Sequence, residues 1–205
     1  MSPQLSTLSP QPPGLPPLVL ASASPRRQEL LRQLGLDFAV VPGHVEELAH
    51  EELTARELSL FNARQKAHSV ARQFPDALVL GADTLVYLGH RLFGKPADLA
   101  EAELMLAQLQ GQTHQVVTGV CLLHRRARRE KLFAEISEVT FRSLSPEQIR
   151  HYLSLVNPLD KAGAYAIQEH GELIVAGVTG SYSNVVGLPL ERLQAELAAF
   201  GGPAA

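Results

Sequence analysis

The run "DALVLGADTLVYL", residues 76–88, restricts the fold more than any other part of the chain. It is strongly apolar and rich in β-branched residues, and Pro75 stops the helical stretch before it. Such a run reads as a buried strand, with Asp83 within it or just past its end. "LVLAS" at 18–22 and "LDFAVVPG" at 36–43 read as two earlier strands. Between them "SPRRQELLRQLG" reads as a helix capped by Ser24, with Pro25 first and Gly35 as the stop. A long helix is predicted from about Glu47 to Gln73, and "YLGHRLFGKP" reads as a turn and return. Asp98 caps a helix to about Leu109. Two strands then flank "RRARRE", followed by a helix opened by a Ser145–Gln148 capping box. A strand "ELIVAGV", a loop "TGSYSNVVGLPL" and a helix over residues 190–200 complete the chain. Helices and strands alternate early and paired strands come late, which predicts an α/β domain with a mixed twisted sheet flanked by helices.

With 205 residues and 45% hydrophobic content the chain suffices for one well-buried domain. That domain is expected over 18–205, after a Pro-rich disordered tail at 1–17. The tail has neither the basic start nor the apolar segment of a signal peptide, and no apolar run reaches the ~18 residues of a membrane span. A formal net charge of −3 gives no global attraction to nucleic acid or to an anionic membrane. The single cysteine, Cys121, precludes an internal disulfide, fits a reducing compartment and reads as a core residue. A cytoplasmic protein is expected.

Several residues stand where a bland sequence would not put them. Asp83 beside a buried strand needs a cation or hydrogen bonds to offset its desolvation, and ligands gather at such strand ends. Arg26 and Arg27 occupy a helix first turn, where backbone N–H groups already concentrate positive charge. A bound polyphosphate would justify them; a solvated first turn costing a few tenths of a kcal/mol is the plainer reading. The chain's 18 basic residues include only four lysines, and Lys66, Lys95 and Lys161 lie apart from the arginine-rich loop. In a chain so biased toward arginine, a compact ammonium suggests a specific role. Lys131 reads as solvated, as does the loop itself, which lacks the aromatic platforms of a single-strand binder. Glu46 and Glu47 suit a helix first turn better than a metal, and His44 and His50 have the wrong spacing for a helical zinc motif. No phosphate-loop, dinucleotide-binding or nucleophile-elbow motif is present.

"LASASPRRQELL", "GADTLVYLGHRLFGKP", "LQGQTHQVVTGV", "DKAGAYAIQ" and "GSYSNVVGLPL" together resemble the successive signature segments of the Maf-like nucleotide pyrophosphatases. The resemblance runs from about Leu18 to Phe200. It implies a fold similar to that of the inosine triphosphate pyrophosphatases. It also implies hydrolysis of a nucleoside triphosphate to the monophosphate and pyrophosphate with a divalent cation, and a link to inhibition of septum formation. Asp83 matches the family's proton acceptor. Ser22, Arg26 and Arg27 match its first phosphate loop, and Glu46, Lys66, Lys95, Asp160 and Lys161 fall on other characteristic polar positions. Glu46, Asp83 and Asp160 are the expected ligands of Mg²⁺ or Mn²⁺, and Ser22, Arg27, Lys66, Lys95 and Lys161 the expected phosphate contacts. Arg26, Thr84 and Gln168 resemble the branch acting on dTTP and UTP. Ala166 stands where the family usually has glycine, and Phe93 precedes "GKP". The resemblance leaves room for a homodimer. A nucleotide-sensing regulator of cell division without catalysis is the competing class, and a nucleic-acid binder is a weaker one.

Overall fold

The computed structural model describes residues 14–43, 45 and 53–201. Most of the expected tail, together with His44, Glu46, Glu47 and His50, lies outside the described residues.

The elements in chain order are β1 (Leu18–Leu20), α1 (Pro25–Gln33), β2 (Phe38–Val40), α2 (Ala55–Ala71), β3 (Leu78–Leu88), β4 (Arg91–Phe93) and α3 (Leu99–Leu109). They continue with β5 (Thr113–His124), β6 (Arg129–Phe141), α4 (Pro146–Leu155), β7 (Val175–Thr179), α5 (Tyr182–Val186) and α6 (Leu190–Gly201). The sheet runs β2-β1-β3-β5-β6-β7, with β4 paired to β3. β1 pairs in parallel with both β2 and β3, in the registers Leu18↔Phe38 and Leu18↔Leu78. Helices α1 and α2 supply the crossovers that parallel neighbours require. The β3–β4 and β6–β7 pairs are antiparallel, so the sheet is mixed, as the sequence predicts.

Local chemistry explains the helix starts. Ser24 caps α1 through the Arg27 N–H at 3.4 Å, and that first turn holds no acid. α2 begins later than the acid-rich sequence suggests. Thr54 and Glu57 close a reciprocal capping box, with Thr54 in an extended conformation, and this fixes the start at Ala55. The expected strand from Glu172 starts only at Val175, because Gly171–Leu173 form one tight turn behind His170, whose φ is 54°. The expected loop at 179–190 contains α5, and Asn184 there is fully buried, donating to the Val116 carbonyl at 3.1 Å and to Ser137 Oγ at 3.0 Å.

The chain divides into two compact units. One comprises the residues up to Asp83 together with 118–134 and those from Gly187 onward; the other comprises 84–117 and 135–186. The boundary therefore falls inside β3, between Asp83 and Thr84. The core of the first unit joins Val19, Ala21 and Val79 to Ala63, Ala67 and Val70 of α2, and includes Cys121. Burial pushes the Cys121 thiol pKa well up, as befits a core residue. The core of the second unit is built on Phe93, Leu106, Phe141, Ile149, Tyr152 and Tyr165.

The arginine-rich turn at 125–128 is exposed, as expected, and some residues in it and beside it pair within the first unit. Arg126 pairs with Asp76, and Arg129 lies 4.4 Å over the Phe200 ring while donating to the Phe200 carbonyl. Lys131 is exposed, as expected, and meets Glu196 of α6 at 3.2 Å. Glu130 accepts from Arg64 at 2.7 Å and meets the His68 ring at 2.9 Å. Partial burial raises its carboxyl pKa, but these bonds outweigh that and leave it lowered. Among the described residues no helix is long and apolar enough to cross a membrane.

Candidate active site

Side chains alternate along β3, so Val79, Gly81 and Asp83 share one face. Val79 packs against α2, and Gly81 allows the two elements to touch. A Cβ at Gly81 would sit 2.2 Å from the Ala63 carbonyl oxygen and 2.8 Å from the Ala67 nitrogen. Gly119 on β5 plays the same part, since a Cβ there would lie 2.4 Å from the Ser59 carbonyl. Helix α2 thus rests main chain to main chain on two strands.

That contact presents α2 side chains to Asp83. Residues four apart on a helix stack one turn above the other. Lys66 Nζ donates to Asp83 Oδ1 at 2.6 Å, and Asn62 Nδ2 donates to Oδ2 at 3.1 Å. All three are buried: Asp83 is 4% exposed, Lys66 8% and Asn62 2%. A buried carboxylate is tolerated only when its charge is matched and its oxygens are hydrogen-bonded, and this arrangement does both. Asn62 escapes a reading centred on charged residues. Its signal was its position, since residues 59, 62, 63, 66, 67 and 70 form the core-facing stripe of α2. A polar residue on such a stripe needs a partner.

The start of α1 gathers a second group in the same unit. Ser22 Oγ accepts from Arg27 Nη1 at 3.2 Å and from the Ser24 N–H at 3.3 Å. Arg27 Nε donates to the Gly187 carbonyl at 2.9 Å. Its guanidinium is therefore held by two points far apart in sequence, beside the helix N–H groups, where anions are favoured. Arg26, next to it, is half-buried.

Of the remaining expected residues, those that are described belong to the second unit. Thr84 is half-buried on β3, while Lys95, Asp160 and Gln168 are exposed. Lys161 is buried at 5% exposure, and its ammonium meets the Asn157 carbonyl at 2.6 Å, Asp160 at 2.9 Å and Glu169 at 3.4 Å. It therefore staples the loop that leads to Gln168. Two tyrosines brace that loop. The Tyr152 hydroxyl donates to the Ala166 carbonyl at 3.2 Å and accepts the Ala166 N–H at 3.0 Å. Tyr165 shares a 2.8 Å hydrogen bond with His114 Nε2. Burial pushes the Tyr152 phenol up to about 12 and the His114 imidazole down to about 4. Ala164 holds a left-handed φ of 63°, an uncommon position for a residue with a side chain.

Among the described residues no three His, Cys, Asp or Glu side chains come together to hold a metal. A Mg²⁺ ion binds through one or two carboxylates and the substrate's own phosphates, so the oxygen chemistry of Asp83 suits it.

A family sequence model described as "Maf-like protein" matches residues 17–200. The chain belongs to the Maf-like family. It is 46% identical over 187 residues to a protein of Akkermansia muciniphila named "dTTP/UTP pyrophosphatase", covering 91% of this chain and 98% of that one. Proteins of the same name from Moorella thermoacetica and Myxococcus xanthus are each 50% identical, over 184 and 186 residues. These alignments cover 90% and 91% of this Maf-like chain, and 95% and 93% of the relatives. A solved HAM1 protein from Coxiella burnetii overlaps 62% of this chain and 73% of its own, with 21% identity and a TM-score of 0.42.

Proposed function

We propose that this Maf-like protein hydrolyses dTTP and UTP to the monophosphate and pyrophosphate, with Asp83 as the proton acceptor for the attacking water. The observation that carries the reading is the buried Asp83 carboxylate, fixed at one oxygen by Lys66 and at the other by Asn62. A carboxylate has about four lone-pair sites, so each oxygen accepts further bonds while staying pinned. A fixed acceptor is what proton transfer from a positioned water requires. Lys66 matches the charge of that carboxylate in its buried setting. Arg27 and the α1 start offer anchored positive charge to a departing pyrophosphate, aided by Ser22, Lys95 and Lys161. Arg26, Thr84 and Gln168 would hydrogen-bond the pyrimidine, in keeping with the names of the relatives. When bound, Mg²⁺ or Mn²⁺ would neutralise phosphate charge, held by Asp83 with Glu46 and Asp160 as the other expected ligands. Buried polar groups left unpaired by a wrong base would reject it.

The test is a panel of nucleoside triphosphates with Mg²⁺ and with Mn²⁺, scored separately for pyrophosphate and phosphate, with Asp83→Asn alongside. Pyrophosphate from UTP and dTTP, reduced about 10²–10⁴-fold in the variant, is the expected result. Release mainly from purine nucleotides would overturn the pyrimidine assignment. Tight binding without turnover would make the chain a nucleotide sensor, as a regulator of septum formation would be.

A further inference from the structure

We infer that Asn62 is a positioning residue for the reaction, acting through Asp83; this rests on the reading of Asp83 as proton acceptor. Lys66 alone would leave the carboxylate free to rotate about a single ionic contact. The Asn62 amide closes the second oxygen from one turn earlier on the same helix face. The two donors differ in kind. Lys66 brings the charge that makes burial tolerable, whereas a neutral amide adds direction without adding charge. Asn62 is itself 2% exposed, and its helix is seated on β3 and β5 through Gly81 and Gly119, so the amide cannot drift from its acceptor. The neighbouring positions 63, 67 and 70 on this stripe are Ala, Ala and Val. A leucine has the same branched side chain of four heavy atoms without its polar end. What it would not do is hold Oδ2.

The experiment is a double-mutant cycle with Asn62→Leu, Asp83→Asn and the combination, in the full chain with UTP and Mg²⁺. Asn62→Asp is added as a variant of nearly the same shape that carries an acceptor in place of the donor. The expected result is a kcat lowered about 10- to 100-fold in both position-62 variants, the scale of one hydrogen bond to a charged group. KM should change less than about threefold, because the bond is made to the proton acceptor and not to substrate. In the Asp83→Asn background, Asn62→Leu should cost less than about twofold, since the group it acts through is gone. A merely structural role would give the same loss in both backgrounds, and that result overturns the inference. So does wild-type kcat in either position-62 variant with Asp83→Asn impaired, which leaves the role of Asp83 standing. Normal turnover in Asp83→Asn overturns both the role of Asp83 and that of Asn62. Should Asn62→Leu fail to fold, as judged by circular dichroism, Asn62→Asp carries the same cycle.

Discussion

Gly81→Ala tests whether the site depends on the close seating of α2. The new Cβ would lie 2.2 Å from the Ala63 carbonyl oxygen, where ordinary contact begins at 3.4 Å, so the deficit exceeds an ångström. The clashing atoms are main chain and cannot rotate away. Either β3 or α2 must move as a body, and Asn62 and Lys66 move relative to Asp83. Overpacking of this kind costs about 1–3 kcal/mol, and a backbone-to-backbone clash belongs at the upper end. For a chain of this size about 3 kcal/mol lowers Tm by roughly 6–12 °C. A misplacement of about 1 Å costs on the order of 10²-fold in turnover. The assay pairs a thermal melt with pyrophosphate release at a temperature where the variant remains folded. Gly177→Ala is the control, because a Cβ there meets nothing within 4 Å, and both its Tm and its turnover should match the parent's. A Gly81→Ala protein with parental Tm and parental kcat would refute the seating.

Other expectations follow from individual contacts. Lys66→Met should cost about 3–5 kcal/mol in a denaturant titration at neutral pH, because it strands a buried carboxylate. Arg27→Lys should raise KM for UTP about tenfold with the fold retained, because an ammonium cannot grip Gly187 and Ser22 at once as the guanidinium does. Tyr152→Phe leaves the Ala166 N–H and carbonyl without their phenol and should cost about 1–3 kcal/mol. His114 has its folded pKa lowered to about 4 from an ordinary 6.5, so the unfolded chain binds the extra proton. Its contribution is intact above pH 6.5 and is lost as pH falls from there to about 4, by at most about 1.4 kcal/mol per pH unit. His114→Phe should flatten that part of the stability profile measured by chemical denaturation.

Sequence reading captured what local chemistry dictates and missed what tertiary contact dictates. The strand at 78–88, the Ser24, Asp98 and Ser145 caps and the mixed sheet follow from short-range pattern, and the structure contains them. α2 starts later than its sequence suggests because acids at 46–52 look like a first turn, while the deciding Thr54–Glu57 reciprocity lies further on. Asp83 was legible because a carboxylate in an apolar strand demands an explanation. The identity of its partners was only half legible. Lys66 drew notice as a rare lysine, but Asn62 carries no charge and becomes visible only when its helix face is placed on β3. Lys131 and the arginine-rich turn are exposed, as the sequence suggests, but the acceptors around them, Asp76, Glu196 and the Phe200 carbonyl, lie too far away in sequence to be read from it.

At Gly81 and Gly119 the gap between α2 and the sheet is set by the radii of peptide atoms and not by how side chains fill a space. Elsewhere in a core, a changed aliphatic residue is absorbed by small shifts of whatever lies across from it. Here there is no such cushion, and for the same reason no such drift. The neighbouring core can therefore diverge a good deal in composition without retuning the distance from Lys66 and Asn62 to Asp83, provided the two glycines stay. Redesign of this protein has freedom at the side chains packed around this contact and almost none at the two positions with no side chain at all.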